Sequence, residues 1–245
     1  MKLMNENMEN LSILGGKGAF NFSATKIEDL GSTEYTLVTI TLDKSGSVSS
    51  YSAELLNALK SIINACKKAP RAENLLLRIV EFNSKLQEVH GFKLLSTINA
   101  DDYDEPRPDG MTALFDSVYD SVGATATYAK KLTEQDFGVN GICFIITDGA
   151  DNSSVSTPNM ILEMVKKIKV GEEIESLITV LVGINTSDCK DELDSFKDEA
   201  QLTQFVDVGE ATSGKLAKLA AFVSQSISSQ SQALGSGGPS QQLNF

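Results

Sequence analysis

The run Tyr35-Thr36-Leu37-Val38-Thr39-Ile40-Thr41-Leu42 passes without interruption into Asp43-Lys44-Ser45-Gly46-Ser47. Valine, isoleucine and threonine suit a pleated, packed surface, so the first part predicts a buried strand. Asp, Ser and Gly tie the backbone into turns, so the second part predicts a polar loop at the strand's end. Beyond the loop, Leu55, Leu56, Leu59, Ile62, Ile63 and Cys66 recur at helical spacing, and the pattern stops at Lys67-Lys68-Ala69-Pro70. Cations near a helix C-terminus followed by proline are a stop signal. Strand, polar turn and helix in that order open an α/β fold.

The same alternation continues outward. Leu75 to Phe82 reads as a strand, and Leu86 to Phe92, after the polar Asn83-Ser84-Lys85, as a hairpin partner that would be an antiparallel edge strand. An acidic, proline-containing loop from Asp101 to Gly110 leads to a helix marked by Leu114, Phe115, Val118 and Val122, with Thr112 as its expected cap. Val139 to Thr147 is a continuous buried strand ending in Asp148-Gly149, and Thr157-Pro158 opens a helix carrying Met160, Ile161, Met164 and Ile168. A strand at Leu177 to Ile184, an acidic helix at Lys190 to Ala200, a strand at Gln204 to Val208 and a helix bearing Leu216, Leu219, Val223 and Ile227 follow. The expected architecture is a doubly wound, mostly parallel, Rossmann-like central sheet with helices on both faces and one antiparallel edge strand. The expected organisation is a partly disordered leader over 1–31, one domain over 32–230, and a Ser/Gln/Gly-rich tail over 231–245 that is extended from Ser236 to Gln242.

Composition narrows the function. At 245 residues, 41% hydrophobic and 22% charged, the chain is long and apolar enough for a substantial core. A formal net charge of −12 repels phosphate backbones and anionic headgroups, which argues against a nucleic-acid or membrane partner. Cys66, Cys143 and Cys189 form neither a C-x-x-C pair nor an even framework, as expected of a reduced, cytoplasmic protein. Met1 to Leu14 lacks the apolar run of a signal peptide, and no stretch has the length of a membrane span. The lone His90 lies in a strand-like run, so a structural role is expected, and zinc or Ser-His-Asp chemistry is disfavoured.

In a doubly wound sheet, ligands bind outside the carboxyl ends of the strands where the strand order reverses. Asp43, Ser45 and Ser47 follow the first strand, Thr112 stands at a helix start, and Asp148 follows the strand ending at Thr147. Each piece is ordinary alone: a D-x-S-x-S string arises by chance in roughly one chain in twenty of this length. Together they place two carboxylates and three hydroxyls where one site can form. An all-oxygen set suits a hard cation, Mg²⁺ or Mn²⁺, and such an ion would relieve the repulsion between Asp43 and Asp148.

These residues resemble the von Willebrand factor type A domain with its metal-ion-dependent adhesion site: D-x-S-x-S after the first strand, a later Thr, and an Asp after the fourth main strand. Asp43, Ser45, Ser47, Thr112 and Asp148 fill all five positions, at separations of 69 from Asp43 to Thr112 and 36 from Thr112 to Asp148. The resemblance covers roughly Tyr35 to Ile227. It implies that Ser45, Ser47 and Thr112 contact the ion directly, that Asp43 and Asp148 often act through water, and that a protein partner supplies a carboxylate to an open position. It implies metal-dependent protein binding without catalysis. The short, anchorless members it resembles are stand-alone prokaryotic or phage-type proteins, some beside stress-response or AAA+ ATPase genes, which frames an adaptor role. The glycine doublet frequent before the Thr is Gly110-Met111 here. Two alternatives stand beside this reading. One is a Mg²⁺-dependent phosphoryl-transfer enzyme of the haloacid dehalogenase type, although the second Asp such enzymes need is replaced by Ser45. The other is an assembly component docking through the C-terminal tail. The oligomeric state is left open.

Overall fold

The run beginning at Tyr35 forms β3 (Glu34–Asp43), the strand around which the others are arranged in a computed structural model that describes residues 8–13, 20–171 and 174–245. Before it come β1 (Met8–Ser12) and β2 (Asn21–Thr25). After it come α1 (Ser52–Lys67), β4 (Leu75–Phe82), β5 (Leu86–Leu94), α2 (Leu114–Thr133), β6 (Gly138–Thr147), α3 (Pro158–Val170), β7 (Leu177–Ile184), α4 (Lys190–Glu199), β8 (Gln204–Gly209) and α5 (Ser213–Ser236). The eight strands form one sheet in the order β1-β2-β5-β4-β3-β6-β7-β8. β4, β3, β6, β7 and β8 pair in parallel, and β5 runs antiparallel to β4. The architecture is the mostly parallel α/β sheet expected from the sequence.

Helices cover both faces, and the strand alternation explains why. Val38, Ile40 and Leu42 of β3 point into a core shared with α1 and α5, and Leu37 points into the other core with α2, α3 and α4. On the α2 side, β3 presents hydroxyls: Thr39 Oγ1 lies 2.9 Å from Thr125 Oγ1, and Thr41 Oγ1 lies 2.7 Å from Ser121 Oγ. Ser117, Ser121, Ala124 and Thr125 let this almost wholly buried helix approach the sheet closely. A side chain at Gly141 would collide with Thr125, so the glycine on β6 is required by that approach.

Three expectations need correction. The leader was read as lying outside the domain, yet β1 and β2 are strands of the same sheet. β2 pairs with β5 in parallel, and the antiparallel β1–β2 pair forms the sheet's edge, outside the hairpin strand from which an edge had been expected. Residues 1–7 and 14–19 of that leader lie outside the described residues. Next, Thr112 does not cap α2: the residue before the helix is Ala113, and the first-turn N–H groups of Phe115 and Asp116 donate instead to Asp151 Oδ1 at 3.2 Å and Ser154 Oγ at 3.0 Å. Thr157 does cap α3 as expected, accepting from the Met160 N–H. Finally, the boundary between domain and tail expected at residue 231 shifts, because α5 continues to Ser236 and ends at Gly237, whose φ of 63° is the left-handed stop that glycine adopts freely. Beyond it, Gln204 Nε2 donates to the Leu243 carbonyl, and the Phe245 ring meets Phe222 edge-on at 5.7 Å. The C-terminal segment thus packs on its own domain.

His90 is structural in its contacts. It is buried, its ring nitrogens lie 2.8 Å from the Gly91 carbonyl and 2.5 Å from the Tyr103 hydroxyl, and burial pushes its pKa down to about 4. No helix among the described residues is long and apolar enough to cross a membrane.

Candidate metal centre

β3 is flanked by β4 on one side and β6 on the other, and the chain crosses from the first side to the second through α2. The strand order therefore reverses between the carboxyl ends of β3 and β6, which is where an α/β sheet opens a crevice. Asp43 is the last residue of β3 and Thr147 the last of β6. With Leu42 paired to Ile146, the register brings these two ends together. The Thr147 hydroxyl donates to Asp43 Oδ2 at 2.7 Å, and the Ser45 N–H donates to Asp43 Oδ1 at 2.7 Å. Both oxygens of this buried carboxylate are thereby oriented.

From Asp43 the loop turns as the alternate spacing of its polar residues requires. Ser45 Oγ lies 3.1 Å from Ser47 Oγ, and Ser47 Oγ donates to Asp148 Oδ1 at 2.8 Å. The Gly46 N–H donates to the Gly110 carbonyl and the Asp109 N–H to the Lys44 carbonyl, which fastens the Asp43–Ser47 loop to the loop that precedes Thr112. Gly110 has φ of 78°, a conformation that makes it the one glycine this loop needs. Thr112 is held by Asn152: its N–H donates to Asn152 Oδ1 at 2.8 Å, and its carbonyl accepts from the Asn152 N–H at 3.0 Å. A Cβ placed on Gly149 would lie 3.9 Å from Thr112 Oγ1, so that hydroxyl reaches the residue next to Asp148. It makes no hydrogen bond among the described residues.

All five residues named from the sequence therefore meet in one cluster of three loops, with Asp43, Ser45 and Thr112 buried and Ser47 exposed. Sequence reading missed their supports. Thr147 was visible only as a strand end, Asn152 as one polar loop residue among several, and Tyr51 as the residue before a helix. Burial explains Tyr51, whose hydroxyl stands beside Asp148 and whose pKa rises from that burial and from the Asp148 and Asp43 charges.

The electrostatics are unbalanced. Burial pushes the Asp43 carboxyl up to about 6, against the hydrogen bonds from Thr147 and Ser45, and the nearby Asp148 charge adds to the rise. Burial also raises Asp148, opposed by hydrogen bonds from Ser47 and Tyr51. Among the described residues no basic side chain pairs with either acid. Lys44, between them in the loop, turns away to Glu81 at 3.1 Å and Gln87 at 2.6 Å. Nor do three His, Cys, Asp or Glu side chains gather elsewhere as a metal group among the described residues. Two carboxylates without a cation, beside three hydroxyl oxygens, fit a hard divalent ion in donor type and in charge.

Fold and loop cluster together define a mostly parallel α/β domain with its oxygen-bearing loops at the carboxyl edge of the sheet. No family model and no curated protein matches the sequence. Solved structures match the fold. Proximal thread matrix protein 1 of the mussel byssus is 18% identical with a TM-score of 0.52 over 79% of this chain and 46% of its own. The same byssus protein has also been solved with zinc in its metal-ion-dependent adhesion site, the site abbreviated MIDAS. The PilB minor pilin of Streptococcus sanguinis is 15% identical with a TM-score of 0.56 over 92% of this chain and 68% of its own. The pilus adhesin SpaC of Lactobacillus rhamnosus GG, in its open conformation, is 10% identical with a TM-score of 0.56 over 92% of this chain and 32% of its own. The chain thus spans less than half the length of the byssus protein. At these identities the likeness is one of fold.

Proposed function

We propose that this domain is a divalent-cation-dependent protein-binding module whose ion is held by Asp43, Ser45, Ser47, Thr112 and Asp148, with Mg²⁺ or Mn²⁺ as its resident metal. The observation that carries the reading is the cluster of these five side chains around two acids, Asp43 buried and Asp148 half-buried, that have no cation partner among the described residues. The exposed Ser47 and the half-buried Asp148 leave an open side toward solvent, where a partner carboxylate would complete the shell, and the Thr112 hydroxyl has no hydrogen-bond partner among the described residues. The zinc-occupied site of the byssus protein supports a divalent ion on this fold. We assign the domain no chemistry of its own. Asp43 is engaged through both oxygens, which suits a positioning role and not a phosphoryl-accepting nucleophile. Its three free cysteines are consistent with work in a reducing, cytoplasmic setting as a binding adaptor.

The test is capture from native-host lysate by tagged wild type and Asp43→Ala, in Mg²⁺ and in EDTA, read by mass spectrometry. The expected result is a protein retained by wild type with Mg²⁺ alone, whose retention is lost when one of its own acidic residues is replaced. The same set of proteins under all four conditions contradicts the reading.

A further inference from the structure

The start of α2 and the loop that follows β6 grip each other in both directions. Thr112 and Asn152 exchange two hydrogen bonds, the Thr112 N–H to Asn152 Oδ1 at 2.8 Å and the Asn152 N–H to the Thr112 carbonyl at 3.0 Å. One turn on, the Phe115 N–H donates to Asp151 Oδ1 at 3.2 Å and the Asp116 N–H to Ser154 Oγ at 3.0 Å. The Ser154 hydroxyl in turn donates to that same Asp151 oxygen. Asp116 returns the grip, its two carboxylate oxygens accepting from the Val155 N–H at 3.1 Å and the Ser156 N–H at 2.8 Å. Six hydrogen bonds thus join residues 112–116 to residues 151–156.

Asp116 is the costly member of this interlock. It is buried, and among the described residues no basic side chain pairs with it. A buried carboxylate is tolerated when charge-assisted hydrogen bonds replace its water, and a helix N-terminus favours the acid further. Both oxygens of Asp116 are given to backbone N–H groups, so what the acid fixes is the course of the chain. Its carboxylate hydrogen-bonds to none of the five proposed ion ligands among the described residues. Two of those ligands depend on the interlock for their spacing, because Thr112 enters the crevice just before α2 and Asp148 opens the loop that α2 holds. Thr112 needs that support most, since its buried hydroxyl has no hydrogen bond of its own among the described residues. Mg²⁺ demands oxygens at about 2.0–2.1 Å in octahedral geometry, so a small displacement of one ligand is felt as lost affinity.

We infer that this interlock sets the metal affinity from outside the ligand set, with Asp116 and Asn152 as its positioning residues and Thr112 as the ligand they place. The inference rests on the metal-dependent reading above and adds the residues that tune it. Mg²⁺ is titrated calorimetrically at pH 7 into the wild type, Asp116→Asn, Thr112→Val and the double variant, and the melting temperature of each is read in EDTA. Asparagine keeps the shape of aspartate but turns an N–H toward one of the two donors, so one contact is lost. In the wild-type background Asp116→Asn is expected to raise the Mg²⁺ Kd about tenfold, the low end for a group that orients a metal ligand, and by no more than Thr112→Val does. In the Thr112→Val background the same substitution should change the Kd by less than about twofold, while it lowers the melting temperature in EDTA equally in both. Asn152→Ala, at an exposed side chain, is expected to show the same dependence on Thr112, and it decides the matter if Asp116→Asn loses its circular dichroism. An unchanged Kd in Asp116→Asn and Asn152→Ala, or a loss of the same size with and without the Thr112 hydroxyl, overturns the inference and leaves the metal-dependent reading standing. A wild type that takes up no Mg²⁺, or a Thr112→Val variant that binds it as tightly as the wild type, overturns both.

Discussion

Two pairs of acids in this molecule, each with one buried and one half-buried member, are treated in opposite ways. Asp120 on α2 and Glu88 on β5 share Arg78 of β4, whose Nη1 reaches Asp120 Oδ2 at 2.7 Å and whose Nε reaches Glu88 Oε2 at 3.0 Å. Burial works against the guanidinium charge, but the two carboxylates outweigh it and hold the Arg78 pKa above its ordinary value. Glu88 also accepts from the Ser23 hydroxyl and N–H, so this network secures β2 to the sheet. Asp43 and Asp148 have hydroxyl and amide donors but no cation among the described residues. The chain sets a cation of its own between the first two acids, and under the proposed function an ion from solution would serve the second two.

Removing the internal cation has the largest expected effect. Arg78→Met leaves two acids in a low-dielectric site, and breaking a buried pair in this way costs about 3–5 kcal/mol. For a chain of this length that lowers the melting temperature by about 6–20 °C. The loss should be equal in Mg²⁺ and in EDTA, measured by calorimetry, because Arg78 is remote from the loops. Supplying the external cation comes next. Mg²⁺ at a hundredfold excess over its Kd should stabilise the wild type by about 2.7 kcal/mol, an effect absent from Asp43→Ala.

The acid itself gives a smaller and more discriminating effect. Folded Asp43 keeps its proton up to about pH 6, and its ordinary value is 3.8. The native state therefore binds more protons than the unfolded chain between these values, so in EDTA stability falls as pH rises from about 4 to about 6 and then levels. Asp43→Asn should remove that part of the slope and leave the melting temperature in EDTA at pH 7 unchanged or higher. Asp120→Asn, which strips a partner from Arg78, should lower it. In Mg²⁺ the wild-type trend reverses, because the ion binds the deprotonated acid. The smallest effect on stability is expected for Thr112→Val. Its hydroxyl has no partner among the described residues, so the change in EDTA should stay within about 0.5 kcal/mol, the range of substitutions that break no feature. Mg²⁺ affinity, read by titration, should nevertheless fall at least several-fold.

The same contrast explains what could be read from the sequence. β3, its polar loop, α1 and the continuous strand to Thr147 announce themselves through apolar periodicity, and the five oxygen residues sit at fixed places relative to those elements. Asn21–Thr25 is a short strand in which Phe22 and Ala24 enter the apolar core while Ser23 is held by the Glu88 acceptor 65 residues away, a link that no local pattern carries. Thr112 has the look of a cap because threonine before an apolar run usually is one; the loop tether to Asn152 turns it elsewhere. The Ser/Gln stretch from Ser231 to Ser236 has the composition of a tail, yet Gln230 and Leu234 bury one side of it and keep it helical. Tyr51 and Thr147 give no signal of their own, since their role is to steer acids that other residues announce.

The central claim is tested most directly by calorimetric titration of Mn²⁺ and Mg²⁺ into the wild type and Asp43→Ala at pH 7. One ion per chain in the wild type, with binding lost in the variant while its circular dichroism is retained, is the result expected here. Equal stoichiometry and affinity in the two proteins would place the ion elsewhere and contradict the account.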